Sequence, residues 1–214
     1  VNLNLLTCKG CRICFDKGEE KCPLNDDLLS IRDKLGKADL WVWATPVYVN
    51  DVNAPMKNLI DRLAFICHRP EFGGKQAFIL TTTGSVKSTH AVRTMEVAFW
   101  TWGASTIGSL SLVMGAKSDE EEFEKTYSRQ MDKVVSKCLK SLKKWEPTFI
   151  QLMIFRIQQL SWGKEEENSL DKRYWVGKGF LDKNRTFLVK HKANPLKVIF
   201  ARATGLIIHR LTIR

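Results

Sequence analysis

The sequence predicts an α/β chain in which helices flank a parallel sheet and a helical extension follows at the C-terminus. Three observations carry this. The run Leu40-Trp41-Val42-Trp43-Ala44 is apolar without alternation, as suits a strand buried on both faces of a parallel sheet. It passes through a polar, turn-rich loop, Thr45–Asn53, into a helix from about Ala54, so that Leu40–Arg62 forms a strand–loop–helix unit of the kind that carries ligands in open α/β sheets. Two more strand-like runs, Gln76–Leu80 with Thr81 and Ala104–Val113, are separated by a helical pattern.

With 214 residues, the chain is long enough for one α/β domain plus an appendage. A composition 44% hydrophobic and 27% charged is that of an ordinary globular chain rather than a disordered one. No apolar run reaches the length of a membrane span, and no signal peptide is visible, although an opening at Val1 rather than Met leaves the true start open. The net charge of +11 is uneven: residues 151–214 hold 13 Lys and Arg against 5 Asp and Glu. An anionic partner, a membrane surface and a solvated face would each account for it, the last being the commonest. No nucleic-acid-binding motif accompanies the basic balance, so no nucleic-acid partner is expected.

Val1–Leu6 reads as a short strand. Next, Cys8, Cys11, Cys14 and Cys22 place four of the six cysteines in a C-x2-C-x2-C-x7-C run. Thiolates this dense have metal-ligand spacing and imply a reducing compartment. Structural zinc more often takes two Cys pairs across a longer spacer, so the run suits a [4Fe–4S] cluster better. Zinc and metal-free thiols stay open; a disulfide is disfavoured because nothing else suggests secretion. Pro23–Asp27 starts a helix, with Asn25 as a cap and Asp26 and Asp27 at its positive end, a role preferred to a catalytic carboxylate pair. Leu28, Leu29, Ile31 and Leu35 form that helix's apolar stripe, which ends near Gly36.

In the central unit Pro46 ends the strand. Pro55 lies in the first helical turn, where its missing N–H costs nothing, and Leu59, Ile60, Leu63 and Ile66 follow helical spacing. Cys67 and His68 read as a packed thiol and a helix-end cation. The loop Thr81–Ser85 is made of small residues, and a helix follows over His90–Trp102. Ser118–Phe123 reads as the capping segment of a long helix, about Asp119–Trp145, with Phe123, Tyr127, Met131, Val134, Val135, Cys138 and Leu142 on its apolar side. Pro147 divides residues 1–146 from a basic extension, 147–214. The extension holds a second amphipathic helix, Phe149–Leu160, and an apolar one, Leu196–Ile213, studded with Arg202, His209, Arg210 and Arg214. Membrane-surface contact, packing on the core and packing on a second subunit all stay open for that last helix.

Thr45-Pro46-Val47-Tyr48, a short polar loop and Ala54-Pro-Met-Lys-Asn-Leu-Ile-Asp-Arg62 resemble the second flavin loop of flavodoxin-like NAD(P)H-dependent FMN reductases. Thr81–Ser85 resembles that family's third flavin loop. The four-cysteine run is similar to the compact motif of iron–sulfur flavoproteins, which follows the second strand of the same fold. Tyr174–Asp182 and Lys192–Lys197 resemble a C-terminal extension of some of these flavoproteins. The resemblance covers most of the chain and is strongest over Cys8–Ser85.

It implies a flavodoxin-like sheet of strand order 2-1-3-4-5. It also implies FMN held by Thr45, Pro46, Val47, Tyr48, Val49 and Asn50 and by Thr82, Thr83, Gly84 and Ser85, with Cys8, Cys11, Cys14 and Cys22 around a cluster. The family's first flavin loop cradles the FMN phosphate at a helix N-terminus. It has no counterpart in this sequence, which therefore reads as lacking its first strand–helix unit. The function implied is a cytoplasmic oxidoreductase in which NAD(P)H reduces FMN and the flavin passes electrons on, singly where a cluster lies beside it. The cofactor supplies the chemistry, so no acid/base residues are assigned. Flavin and nicotinamide nucleotide are the expected ligands and a homo-oligomer the expected assembly. The rival reading is a non-catalytic electron carrier that docks on protein partners.

Overall fold

In the computed structural model, which describes residues 3–86, 88–115 and 120–212, the central apolar run forms strand β1, Leu40–Tyr48. The chain turns back at once as β2, Asp51–Val52, antiparallel to the end of β1, with Val47 opposite Val52 and Tyr48 opposite Asp51. β3, Gln76–Thr83, runs parallel to β1 from the Leu40/Gln76 pair to the Pro46/Thr82 pair. β4, Ser105–Val113, runs parallel to β3, giving the order β2-β1-β3-β4. This is an α/β sheet, parallel apart from its hairpin.

Three expectations change at β1 and its approach. The strand does not stop at Pro46. Among the described residues nothing pairs with the outer edge of β1 before Val47, and a proline is tolerated on such an edge. Nor is β1 buried on both faces: Trp41, Trp43 and Thr45 are buried, whereas Val42 is 63% exposed and Ala44 is open too. Its outer edge borders an apolar slot of about 570 Å³ shared with Leu3, Ile31, Leu35, Met56 and Leu59.

The first segment is not a strand either. Val1 and Asn2 lie outside the described residues, and residues 3–12 have no regular structure. The backbone donors of Asn4, Leu6 and Cys8 go instead to the side chains of Asp27, Asp26 and Asn58 at 2.8, 2.8 and 3.0 Å. Side chains thus take the place of a neighbouring strand.

The helices cover the sheet. α1, Ile13–Asp16, is a single turn within the cysteine run, and α2, Leu28–Lys37, follows it. Asn25 is not the cap of α2; Asp27 holds that position, and Asp26 Oδ1 accepts the Leu28 N–H at 3.2 Å. α3, Ala54–Arg62, is capped by Asn53, whose side chain accepts the Met56 N–H at 3.1 Å. α4, Thr89–Trp102, is capped by Ser88. Behind it, Trp41, Trp43, Phe72, Phe99 and Trp102 pack edge-on or tilted around one another, with centroids 4.9 Å apart for Trp41 and Phe72 and 5.0 Å for Trp43 and Phe99.

α5, Glu120–Lys143, lies over the other face at β3 and β4. There Lys137 lies against Gly108 and Cys138 is buried, and the exposure of Val42 shows that the cover falls short of β1. Of the expected capping segment for α5, Ser118 and Asp119 lie outside the described residues. Val135 and Leu142, expected on the apolar side, are exposed.

The remainder forms α6, Phe149–Gly163, α7, Leu170–Gly177, and α8, Pro195–Thr212, around a second apolar cluster that includes Leu152, Phe155, Trp175, Phe180 and Phe187. Ile213 and Arg214, expected to continue the last helix, lie outside the described residues. Gln151 fastens this layer to the sheet: its Oε1 accepts from Ser105 Oγ at 2.9 Å and its Nε2 donates to the Gly103 carbonyl at 3.2 Å. α8 buries Ala201, Gly205 and His209 and exposes Leu196, Ile199, Phe200, Ile207 and Leu211. No helix among the described residues is long and apolar enough to cross a membrane.

Candidate functional site

Both loops singled out as flavin contacts leave the same end of the sheet. Because Pro46 pairs with Thr82, residues Thr45–Asn50 and Thr82–Ser85 emerge side by side at the carboxyl ends of parallel strands, where α/β sheets bind ligands. Thr45 is buried, and its hydroxyl accepts the Asn53 N–H at 3.3 Å, tying the strand end to the cap of α3. Val47 and Tyr48 stand in the hairpin, with the tyrosine 65% exposed.

Val49 and Asn50 form the two-residue turn, with φ of 50° and 63°. Positive φ at both positions marks the turn type that matches the twist of a hairpin. Asn adopts it readily; a β-branched Val does so only under constraint. The constraint comes from α4. The Ser88 hydroxyl, while capping that helix, donates to the Asn50 carbonyl at 2.7 Å. Asp51 accepts from the Thr94 hydroxyl at 2.9 Å and from the Val52 N–H at 2.7 Å. Burial opposes the ionised form of Asp51, but these donors hold its carboxyl below the usual range. On the second loop Thr82 and Thr83 are half-buried, while Gly84 and Ser85 are exposed. A Cβ placed on Gly84 would meet nothing within 4 Å, so space lies open above it.

The cysteine run folds at one end of α3. Gly10 and Gly18 have φ of 65° and 105°, the second beyond what an L side chain adopts easily, and these bends turn the loop back on itself. Cys8, Cys11, Cys14 and Cys22 all line one cavity of about 80 Å³, together with Phe15, Leu28 and Arg62. Cys8 and Cys11 are exposed; Cys14 and Cys22 are half-buried. Burial pushes the Cys14 thiol up, and Cys22 and Cys8 add to the rise, as neighbouring thiols should. Among the described residues no three His, Cys, Asp or Glu side chains converge as ligands of a single metal ion would.

Arg62 forms the floor of this cavity. Its guanidinium is buried and donates to both Asp26 oxygens at 2.5 and 3.0 Å, to the Leu6 carbonyl at 2.7 Å and to Cys22 Sγ at 3.9 Å. Asn58, one turn earlier on α3, bonds both ways with the loop: Nδ2 donates to Leu6 O at 3.1 Å, and Oδ1 accepts the Cys8 N–H. Arg69 holds the other side, where its Nη2 donates to the Cys14 carbonyl at 2.6 Å and to Glu19 Oε2 at 2.9 Å. The sequence offers Asn58 and Arg62 only as part of the flavin-loop resemblance, and assigns none of Asn58, Arg62, Arg69 and Ser88 to a site. The i, i+4 spacing of Asn58 and Arg62 was a usable signal, because it places both on one face of a helix. His68 does more than end a helical turn: its Nδ1 lies 2.7 Å from Asp171 Oδ2.

The sequence profile of the NADPH-dependent FMN reductases matches residues 1–119 of this chain. An iron–sulfur flavoprotein of Archaeoglobus fulgidus is 28% identical over 180 residues, covering 81% of this chain and 79% of that protein. An iron–sulfur flavoprotein of Methanocaldococcus jannaschii is 42% identical over 55 residues, covering 26% of this chain and 28% of its own. Among solved structures, the apo form of an NADH:FMN oxidoreductase aligns with a TM-score of 0.39 at 22% identity, over 50% of this chain and 57% of that one. A Trp repressor binding protein from Bacillus subtilis aligns with a TM-score of 0.41 at 22% identity, over 48% and 72%.

Proposed function

Because the chain belongs to the NADPH-dependent FMN reductase family of flavin oxidoreductases, we propose that it takes electrons from NAD(P)H through FMN and delivers them to an acceptor by way of a [4Fe–4S] cluster held by Cys8, Cys11, Cys14 and Cys22. The observation that carries the flavin half is the Pro46/Thr82 register, which sets the two loops beside each other at the carboxyl end of the sheet. FMN, when bound, supplies the hydride acceptance and the junction between two-electron and one-electron transfer. The chain's residues position it. Tyr48 offers an exposed ring for stacking, and the Ser88–Asn50 bond keeps the hairpin in place. Hydroxyls of Thr82, Thr83 and Ser85 lie on the loop suited to a flavin edge, and Gly84 leaves room for close approach.

Donor chemistry supports the cluster half. Four thiols border one cavity, the number a cubane takes, and the one carboxylate on its lining, Asp61, is engaged by Lys57. The flavin half is tested by following NADH and NADPH oxidation against FMN concentration, with quinone and ferric acceptors, in the wild type and in Tyr48→Asp. A charge beside the ring should raise the FMN concentration needed for half-maximal rate. An unchanged dependence would remove Tyr48 from the flavin site.

A further inference from the structure

The C-terminal extension meets the cysteine loop directly, where α7 lies beside α1 and Leu170 beside Gly18, and one buried arginine hydrogen-bonds both. Arg69 is 6% exposed, and its two terminal nitrogens are shared between the loop and the extension. Nη2 donates to the Cys14 carbonyl and to Glu19, inside the seven-residue spacer before Cys22, while Nη1 donates to Asp171 on α7. Two further bonds from α7 fix the backbone on either side of Arg69. Trp175 Nε1 donates to the His68 carbonyl at 2.7 Å, and the Tyr174 hydroxyl donates to the Pro70 carbonyl at 2.7 Å. The second oxygen of Asp171 is engaged by His68. α7 therefore grips residues 68–70, and Arg69 passes that grip to the main chain at the third cysteine.

We propose that Asp171 is a positioning residue for the cysteine site, acting through Arg69, and that the C-terminal extension serves to preorganise the loop that receives the cluster. The inference rests on reading Cys8, Cys11, Cys14 and Cys22 as cluster ligands. A four-thiol loop that must take up an inorganic core gains from having its backbone fixed beforehand, and the groups that orient ligands are commonly a shell removed from the metal. A carboxylate on one arm of the guanidinium holds the fork so that the other arm meets a carbonyl, a geometry a lysine ammonium does not reproduce.

The test uses the full chain in two states. In the metal-free reduced protein, iodoacetamide labelling of each cysteine is followed by mass spectrometry in the wild type, Asp171→Ala, Asp171→Glu and Arg69→Lys. Cys138, buried in α5, serves as the internal clock. Asp171→Ala and Arg69→Lys should raise the rate at Cys14 relative to Cys138 severalfold, and Asp171→Glu should restore part of the protection. In the reconstituted protein, the apparent affinity for iron in competition with a chelator should fall roughly 10–100-fold in the same two variants. An unchanged Cys14-to-Cys138 ratio in both variants overturns the proposal, even where the wild type holds iron and sulfide. A parallel rise at Cys14, Cys67 and Cys138 also overturns it, because it reports general loosening. A selective rise at Cys14 in the variants, beside a wild type that takes up no iron, upholds the clamp and removes the cluster reading instead.

Discussion

A guanidinium and a carboxylate that leave water together, as Arg62 and Asp26 do, keep their charges only if hydrogen bonds replace their hydration. Both side chains are almost wholly buried and the pairing is bidentate, with Leu6 supplying a third acceptor to the arginine. Removing one partner strands the other. Asp26→Ala should therefore cost about 3–5 kcal/mol, measured by denaturant unfolding. The pair also sets a pH dependence. Burial works against the Asp26 anion, but the bonds from Arg62 and from the Leu6 and Leu28 N–H groups outweigh it, so its carboxyl lies below the usual range. A lowered carboxylate contributes stability that is fully present above its unfolded value, about 3.9, and is lost as pH falls through the lower folded value. Unfolding free energy should thus drop below about pH 4, and Asp26→Asn should flatten that drop. The sequence presented Asp26 only as a helix-start acid. Its partner lies 36 residues away, a distance that local spacing does not encode.

At the scale of elements, most of what was legible came from periodicity and caps. The helices around Ala54, Thr89, Phe149 and Pro195 stand close to where their apolar spacing put them, because each carries an amphipathic stripe and four of the ends carry a capping side chain or proline. The stretch Leu40–Arg62 was legible as a structural unit for the same reason: strand, turn and helix follow each other without a long-range partner. The one-sided burial of β1 was not legible. A run of apolar residues reports that a strand is apolar on both sides, not that both sides are covered. Here α5 covers β3 and β4, and Val42 and Ala44 face the slot beside the open edge. That edge has a measurable consequence. Backbone groups of Leu40–Pro46 that point away from β3 have no strand partner among the described residues, whereas β3 is paired on both sides. Hydrogen exchange should show faster-exchanging amides within residues 40–46 than within residues 77–82, because opening an edge breaks fewer bonds. Equal protection of the two strands would mean that something pairs with the outer edge of β1 in solution.

Across the whole molecule, the cysteine site is assembled by segments far apart in the chain. Asn58 and Arg62 hold it from α3, and Arg69, gripped by α7, holds it from the far side. The four cysteines were visible as a run, yet the groups that shape their loop were not, because each reaches it from a separate element. Cys138 provides the contrast: it is a packed thiol on α5, over the opposite region of the sheet, and burial pushes its thiol up. If the run holds a cubane, iron and acid-labile sulfide should each approach about four per chain after anaerobic purification. Cys11→Ser removes one corner ligand and should lower both contents together. Cys138→Ser removes a thiol just as surely but leaves the cavity lining intact, so both contents should stay at the wild-type level. Zinc would satisfy four sulfurs without colour or redox activity, which is why metal and sulfide must be measured side by side. Zinc without sulfide, or no metal at all, would leave a reductase that works through flavin alone; a loss of iron in Cys138→Ser equal to that in Cys11→Ser would remove the assignment of the ligands to the run.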